Sequence, residues 1–263
     1  MLNRLFSFLG NSIIAVMILA VIAVILIPMP GVLLDILIGL VLIFAALILL
    51  IGLYSQKLKT FSLFPTILLI ITSFSLALSI SAARPILTKG ADFDGRLILF
   101  VSSIAGSGVI GLVVGTIIYA LFVLILLSIV VKGTTRVSEI AARFALDRMP
   151  VRLLGIEVEV STGTISEEEA RIKKSRVQFE ADYFGAMDGA AKFVRGNVKV
   201  NMFITLTIIA GGIIIGKLAD VTVIDALLVY VPLAIGHGIV FMLPALFLSV
   251  AMGINAFRQS LPG

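Results

Sequence analysis

His237 is the only histidine in the chain, and it stands between Gly236 and Gly238 inside a long apolar run. No other side chain here has an unperturbed charge change near neutral pH, so it could relay protons within a membrane. The plainer alternative is a hydrogen-bonded histidine that fixes a helix break. Asp35 lies near the start of another apolar run. Carboxylates inside membrane helices are often functional, yet at this depth Asp35 could instead reach the headgroups and favour the helix N-terminus. His237 and Asp35 are therefore the two candidate proton-relay groups. Arg136, Arg143 and Asp147 are spaced seven and four apart, which places all three on one side of a helix and lets Arg143 pair with Asp147. The alternative is a solvated face whose pairs contribute roughly a few tenths of a kcal/mol. Gly106-Ser107-Gly108-Val109-Ile110-Gly111 has the GxGxxG spacing. A dinucleotide site needs a strand before that turn, and here the run simply opens an apolar helix, so close helix packing explains the glycines better. No Ser-His-Asp set, HExxH or P-loop is present, and there is no cysteine. No enzyme activity, metal or cofactor is expected.

Composition sets the framework that holds these groups. Of 263 residues 60% are hydrophobic and 13% charged, where soluble domains carry about a quarter charged. The mean hydropathy is +1.21. That deficit cannot cover a water-facing surface, and lipid removes the problem. Six apolar segments are read as spanning helices, for which about 20 residues are needed: Ser12–Ile27, Val32–Tyr54, Phe61–Ala82, Val109–Val131, Val200–Leu218 and Ala226–Phe257. The first is longer than the apolar region of a leader, and Pro28-Met29-Pro30-Gly31 ends it as a turn, so it reads as a retained helix. The last holds Pro232 and Pro244 and is expected to be broken or kinked. The fold class is thus an all-α polytopic membrane protein of about six helices, with spans one to four in residues 1–131, a structured cytoplasmic loop in 132–199, and spans five and six in 200–263.

The net charge is +5. Basic residues cluster in a few loops, so the positive-inside rule explains them better than nucleic-acid binding does. With the N-terminus inside, Arg4, Lys57, Lys59, Arg258 and the whole of 132–199 fall inside, and only Arg84, Lys89, Arg96 and Lys217 fall outside. Both termini are expected in the cytoplasm. The 132–199 loop holds twelve basic and ten acidic residues. Val137, Ile140, Ala141, Phe144 and Ala145 form one stripe of a helix over Val137–Arg148, which Pro150 is expected to stop. Leu153–Val160 alternates weakly, like a strand. Ser166 and Glu169, three residues apart, read as a capping box that opens a helix to about Phe184. Gly185, Gly189 and Gly196 are expected to interrupt the remainder of the loop.

The loop's wording is more specific than any of these motifs. Its opening, Arg136-Val-Ser-Glu-Ile-Ala-Ala-Arg-Phe-Ala-Leu-Asp147-Arg-Met-Pro150, and its close, Glu180-Ala-Asp182-Tyr-Phe-Gly-Ala-Met-Asp188-Gly-Ala-Ala-Lys192-Phe-Val-Arg195-Gly, resemble the loop of the FHIPEP (FlhA/SctV) family. Phe64-Pro65-Thr66, Leu76-Ala77-Leu78 and Arg84 resemble its third helix, and Ile235-Gly236-His237-Gly238 with Leu243-Pro244-Ala245-Leu246 its sixth. That family is the large export-gate component of flagellar and virulence type III secretion. The resemblance implies a ring, typically a nonamer, in the inner membrane beside other export-apparatus subunits. It further implies coupling of the proton motive force to protein export. It implies a charged loop network of Arg136, Glu139, Arg143, Asp147, Asp182, Asp188, Lys192 and Arg195.

Four positions depart from the family pattern. Ser75 stands where the pattern has Arg before Leu-Ala-Leu. Asn197 replaces the Asp of Arg-Gly-Asp, His237 replaces that of Gly-Asp-Gly, and Val151 replaces the Gly of Met-Pro-Gly. Two possible proton carriers are thereby absent. The family also continues into two more membrane helices and a large cytoplasmic domain that receives chaperone–substrate complexes, so the chain is either a truncated piece or a naturally short, divergent relative, and the departures favour the second expectation. An accessory or degenerate paralogue that assists assembly, or a proton-coupled small-solute transporter working through His237, are the other expectations.

Overall fold

The computed structural model describes residues 15–54, 63–104, 106 and 108–260. Among these, every regular element is helical: α1 (Ala15–Leu26), α2 (Gly31–Tyr54), α3 (Phe64–Lys89), a 3-10 turn (Gly90–Asp92), α4 (Arg96–Ser103), α5 (Gly108–Leu126), a π segment (Leu127–Thr134), α6 (Thr135–Ser161), α7 (Glu167–Leu218) and α8 (Val223–Ser260). Five of the described helices are long and apolar enough to cross a membrane, namely α2, α3, α5, α7 and α8, and α1 is a shorter apolar helix. This is an all-α polytopic membrane protein. Ser12 and Phe61, expected as span starts, and Arg4, Lys57 and Lys59 lie outside the described residues.

The helix α8 is the axis of the membrane part. It packs against α2, α3, α4, α5 and α7, and 67% of its most apolar stretch is buried against 17% of that of α5. Hydrocarbon supplies no hydrophobic drive between helices, so close approach must do the work. Glycines provide it. A Cβ on Gly236 would come 2.5 Å from the carbonyl oxygen of Ile98, and one on Gly238 would come 2.6 Å from the Tyr119 hydroxyl. A Cβ on Gly212 of α7 would collide with the ring of Tyr230 on α8.

The segment 132–199 is a helical hairpin. The chain runs from α5 through the π segment into α6 without leaving helix, turns at residues 162–166, and returns along α7. The turn is closed by a capping box: Ser166 Oγ accepts from Glu169 N, and the Glu169 side chain accepts from Ser166 N at 3.0 Å. The hydrogen bonds from Ser166 hold the Glu169 carboxyl below the ordinary carboxylate range.

Three local expectations fail here for one reason. Pro150 does not stop α6 but lies inside it. Leu153–Val160 is helix, not strand. Gly185, Gly189 and Gly196 do not interrupt α7, which runs unbroken across residue 199 into the fifth span. Beyond Pro150, α6 is held to α7 by buried Ile156 and by the ion pairs Arg152–Glu180 (2.7 Å), Glu157–Lys174 (3.0 Å) and Glu159–Lys173 (2.6 Å). Contact with a neighbouring helix along the whole length outweighs local propensities of about 1 kcal/mol for Gly and about 3 kcal/mol for Pro. Pro232 and Pro244 likewise lie within α8.

These contacts can be probed one at a time. Gly212→Ala is expected to destabilise the α7–α8 contact by about 1–3 kcal/mol, as overpacking does, and to lower the melting temperature of the detergent-solubilised protein. Ser166→Ala is expected to cost the hairpin tip about 1 kcal/mol, read as faster amide exchange at residues 167–170 with the spans unaffected.

Candidate functional site

Thr72, Ser75 and Ser79 lie on one face of α3, and Asn197, Asn201 and Thr205 on one face of α7, each set at helical spacing and each buried. Of these, Ser79 touches His237 of α8, which is fully buried. Its Nε2 is 3.0 Å from the carbonyl oxygen of Ser79 and 3.2 Å from Ser79 Oγ. A carbonyl only accepts, so Nε2 carries the hydrogen and Nδ1 is left as an acceptor. Ser79 Oγ donates to Asn201 Oδ1, and Asn201 Nδ2 donates to Asn197 Oδ1 at 2.8 Å. Donation therefore runs one way, from His237 through Ser79 and Asn201 to Asn197. A branch joins α5: Tyr119 donates to Thr205 Oγ1 at 3.2 Å, and Thr205 donates to the carbonyl of Asn201 at 2.9 Å. The ring of Phe241 covers the imidazole at 4.8 Å between centroids.

Several buried polar atoms near this network or along the same helices have no protein partner: His237 Nδ1, Asn197 Nδ2, Ser75 Oγ and Ser249 Oγ. A buried orphan costs about 1–3 kcal/mol, so helix glue alone does not account for them. From His237 the polar groups lead toward the hairpin, through Asn197 on α7, Ser75 on α3, and Ser249 and Asn255 on α8. Asn255 Nδ2 donates to the Tyr183 hydroxyl at 2.9 Å at the hairpin's base.

The structure thus joins Asn197 and His237 through Ser79 and Asn201, and Ser75 lies buried one turn from Ser79 on α3 with its hydroxyl unpartnered. Val151, the other departure from the family pattern, is elsewhere, 70% exposed on α6. Asp35 does not join the path. It accepts from the backbone N–H of Arg96 at 2.8 Å and of Leu97 at 3.0 Å. It thereby satisfies two otherwise free donors in the first turn of α4, as a cap supplied from another helix. GxGxxG is no nucleotide loop: Gly106 and Gly108 take φ of +83° and +70° in the turn before α5, and a Cβ on Gly111 would come 2.5 Å from the Gly106 carbonyl carbon.

The loop charges behave differently from one another. Asp188 and Lys192, one turn apart, pair at 2.7 Å, with Glu139 adding a weaker attraction to Lys192. The second oxygen of Asp188 is buried and unpartnered. Arg143 and Asp147 do not pair with each other, and among the described residues Arg136, Asp182 and Arg195 form no ion pair. Sequence reading missed Ser79, Asn201, Thr205 and Tyr119. The signal for Ser79, Asn201 and Thr205 was a polar residue every fourth position in apolar helices, at 75 and 79 and at 197, 201 and 205, and Tyr119 had none.

The FHIPEP family pattern matches residues 21–261. The chain belongs to the FHIPEP family. It is 44% identical to the flagellar biosynthesis protein FlhA of Borreliella burgdorferi over 98% of this chain and 38% of that protein. It is 37% identical to FlhA of Bacillus subtilis over 92% and 36%, and 33% identical to FlhA of Salmonella typhimurium over 93% and 36%. The chain spans little more than a third of the length of these relatives. No solved structure matches it. The hairpin α6–α7 is the part whose wording resembles the FHIPEP loop, and α3, α7 and α8, which carry the buried path, hold the other matching segments.

Asn201→Ala should strand both Ser79 and Asn197 and cost about 1–3 kcal/mol, read as a lower midpoint of thermal unfolding in detergent. Asp35→Ala should cost about 1 kcal/mol by uncapping α4 and speed proteolysis of the 90–108 segment, while Asp35→Asn keeps part of the effect.

Proposed function

We propose that this chain forms part of the membrane portion of a flagellar-type protein export gate in the bacterial inner membrane. Both termini and the hairpin face the cytoplasm in this reading, supported by the basic residues gathered on that side. It works as one subunit of a ring with other membrane components of the export apparatus. Exported proteins pass through the assembly it helps to build. It transports and does not catalyse bond chemistry.

The reading is carried by the buried path of α3, α7 and α8 in a chain whose relatives are named flagellar biosynthesis proteins. Polar groups are expensive in hydrocarbon and are retained where they act. A path of hydrogen-bonding groups with unpartnered ends suits transient hydration and proton entry. The loop charges, with Asp188–Lys192 as the fixed pair, organise the cytoplasmic face.

The test is export of flagellar subunits into the medium, measured in a deletion strain complemented with variants of its gene. Asn201→Ala and His237→Ala are expected to lower export by about tenfold or more at equal protein level, with Tyr119→Phe intermediate, and Asp147→Ala and Asp188→Ala to lower it as well. Parental export in the His237 and Asn201 variants would remove the path from the mechanism. Parental export in both Asp variants would remove the loop charges.

A further inference from the structure

The hairpin leaves the membrane part as two antiparallel helices, and α6, with 27 residues, reaches about 40 Å at 1.5 Å per residue. Along its seam Ala142 and Ile156 of α6 and Ala181 and Phe184 of α7 are buried. Each helix also has an outward stripe. On α6 it is Val137, Ile140, Phe144, Val151, Leu154 and Val158, exposed by 40% to 70%. The steps alternate three and four residues with Asp147 filling the single gap, which is the spacing that another helix requires. On α7 the stripe is Ile172, Phe179, Ala186, Gly189 and Phe193, all exposed. At 100° per residue each stripe lies on the side of its helix opposite the seam, so the two stripes form opposite edges of the hairpin.

The helical glycines add an independent observation. Gly185, Gly189 and Gly196 have no positive φ, and a Cβ on any of them would meet nothing within 4 Å. Neither backbone conformation nor packing within the chain calls for glycine there, although each weakens the helix relative to alanine.

We propose that the α6 edge of the hairpin docks on the α7 edge of a second copy of this chain, an inference that rests on the ring reading above and assigns its contact face. Copies of a membrane protein share one orientation and one depth, so neighbours in a closed assembly are related by rotation about the membrane normal. Depth along the hairpin is then common to all copies. The ion pairs set that scale: paired residues on α6 and α7 have numbers adding to 331 or 332. Phe144 is therefore level with the turn between Gly185 and Gly189 of the neighbour. A bulky ring meets a stretch of α7 whose outward side carries nothing larger than Gly185, Ala186 and Gly189. Arg148, whose guanidinium lies 5.7 Å from the Phe144 ring centroid, is level with residues 183–184, beside Asp182. Neither Arg148 nor Asp182 forms an ion pair within the described chain, so the two edges complement each other in shape and in charge. An edge that meets a different edge is head-to-tail, the arrangement that closes into rings.

The chain has no cysteine, so disulfide trapping in native membranes reads the contact directly. A Phe144→Cys/Ala186→Cys variant, oxidised with copper phenanthroline, is expected to give dimers and a ladder of higher multimers on a non-reducing gel. Phe144→Cys/Ile172→Cys displaces the second thiol by 14 residues, about 21 Å, and is expected to give at least about tenfold less. Adding Arg148→Asp to the matched pair is expected to lower its yield, and adding Asp182→Arg as well to restore it. Native mass of the solubilised protein separates the two readings. An oligomer with no matched cross-link, or one in which both cysteine pairs link equally, overturns this face and leaves the ring. A monomer overturns both.

Discussion

A helix crossing hydrocarbon satisfies its own backbone, but each polar side chain it carries must find a partner on a neighbouring helix or keep water with it. The rest of this structure is arranged around that constraint as it applies to α8, which carries His237, Ser249 and Asn255 on faces buried by other helices. Gly236 and Gly238 let α4, α5 and α7 come close enough to enclose the imidazole. The Tyr119 hydroxyl occupies the space that a side chain at 238 would need and reaches Thr205 from there. Shape and hydrogen bonding are thus one arrangement: the same glycines that bring helices together decide which polar groups meet.

The second consequence concerns mechanics. Asn197, Asn201 and Thr205 sit on the same uninterrupted helix as Glu167–Lys192 of the hairpin. A helix is stiff along its axis, so a change in how α7 meets Ser79 and His237 has a direct route to the hairpin. The other arm of the hairpin joins α5 through the π segment at Leu127–Thr134. The Asn255–Tyr183 bond ties α8 to α7 within the hairpin, so the buried path and the hairpin are linked at two heights.

Much of the fold is legible in the sequence because the bilayer imposes a length on apolar runs. The run Val32–Tyr54 is the helix Gly31–Tyr54, and the run that opens at Val109 is the helix that opens at Gly108. The illegible parts are decided by neighbours. Pro150, Gly185 and Gly196 carry strong local preferences, and a single sequence shows those preferences without the antiparallel partner that overrides them. The Ser166 capping box is legible because its two residues are three apart and need no distant partner. The site divides in the same way. His237 stands out by being unique and Asn197 by its place in a motif, but their meeting depends on α3, α7 and α8 being adjacent. Asp35 shows the limit most plainly, since its bonded partners lie more than sixty residues away, at Arg96 and Leu97.

The departures from the family pattern gain a physical reading once their positions are known. Taken singly, Ser75, Asn197 and His237 are unrelated changes on α3, α7 and α8. Asn197 and His237 end one hydrogen-bonded chain and Ser75 lies one turn from Ser79 on α3, at positions where the resemblance implies one basic and two acidic groups. An unpaired ion at such depth costs several kcal/mol, so restoring Asp at 197 alone would set a carboxylate among Asn201, Val194 and Val198 with no basic residue at 75 to balance it. Replacing the basic group alone would strand two acids. A set with no permanent charge removes that cost at every member, and leaves the donors and acceptors of Ser79, Asn201 and Thr205 to hold the helices in register. All three positions are buried without a permanent charge, which is the state that their depth favours.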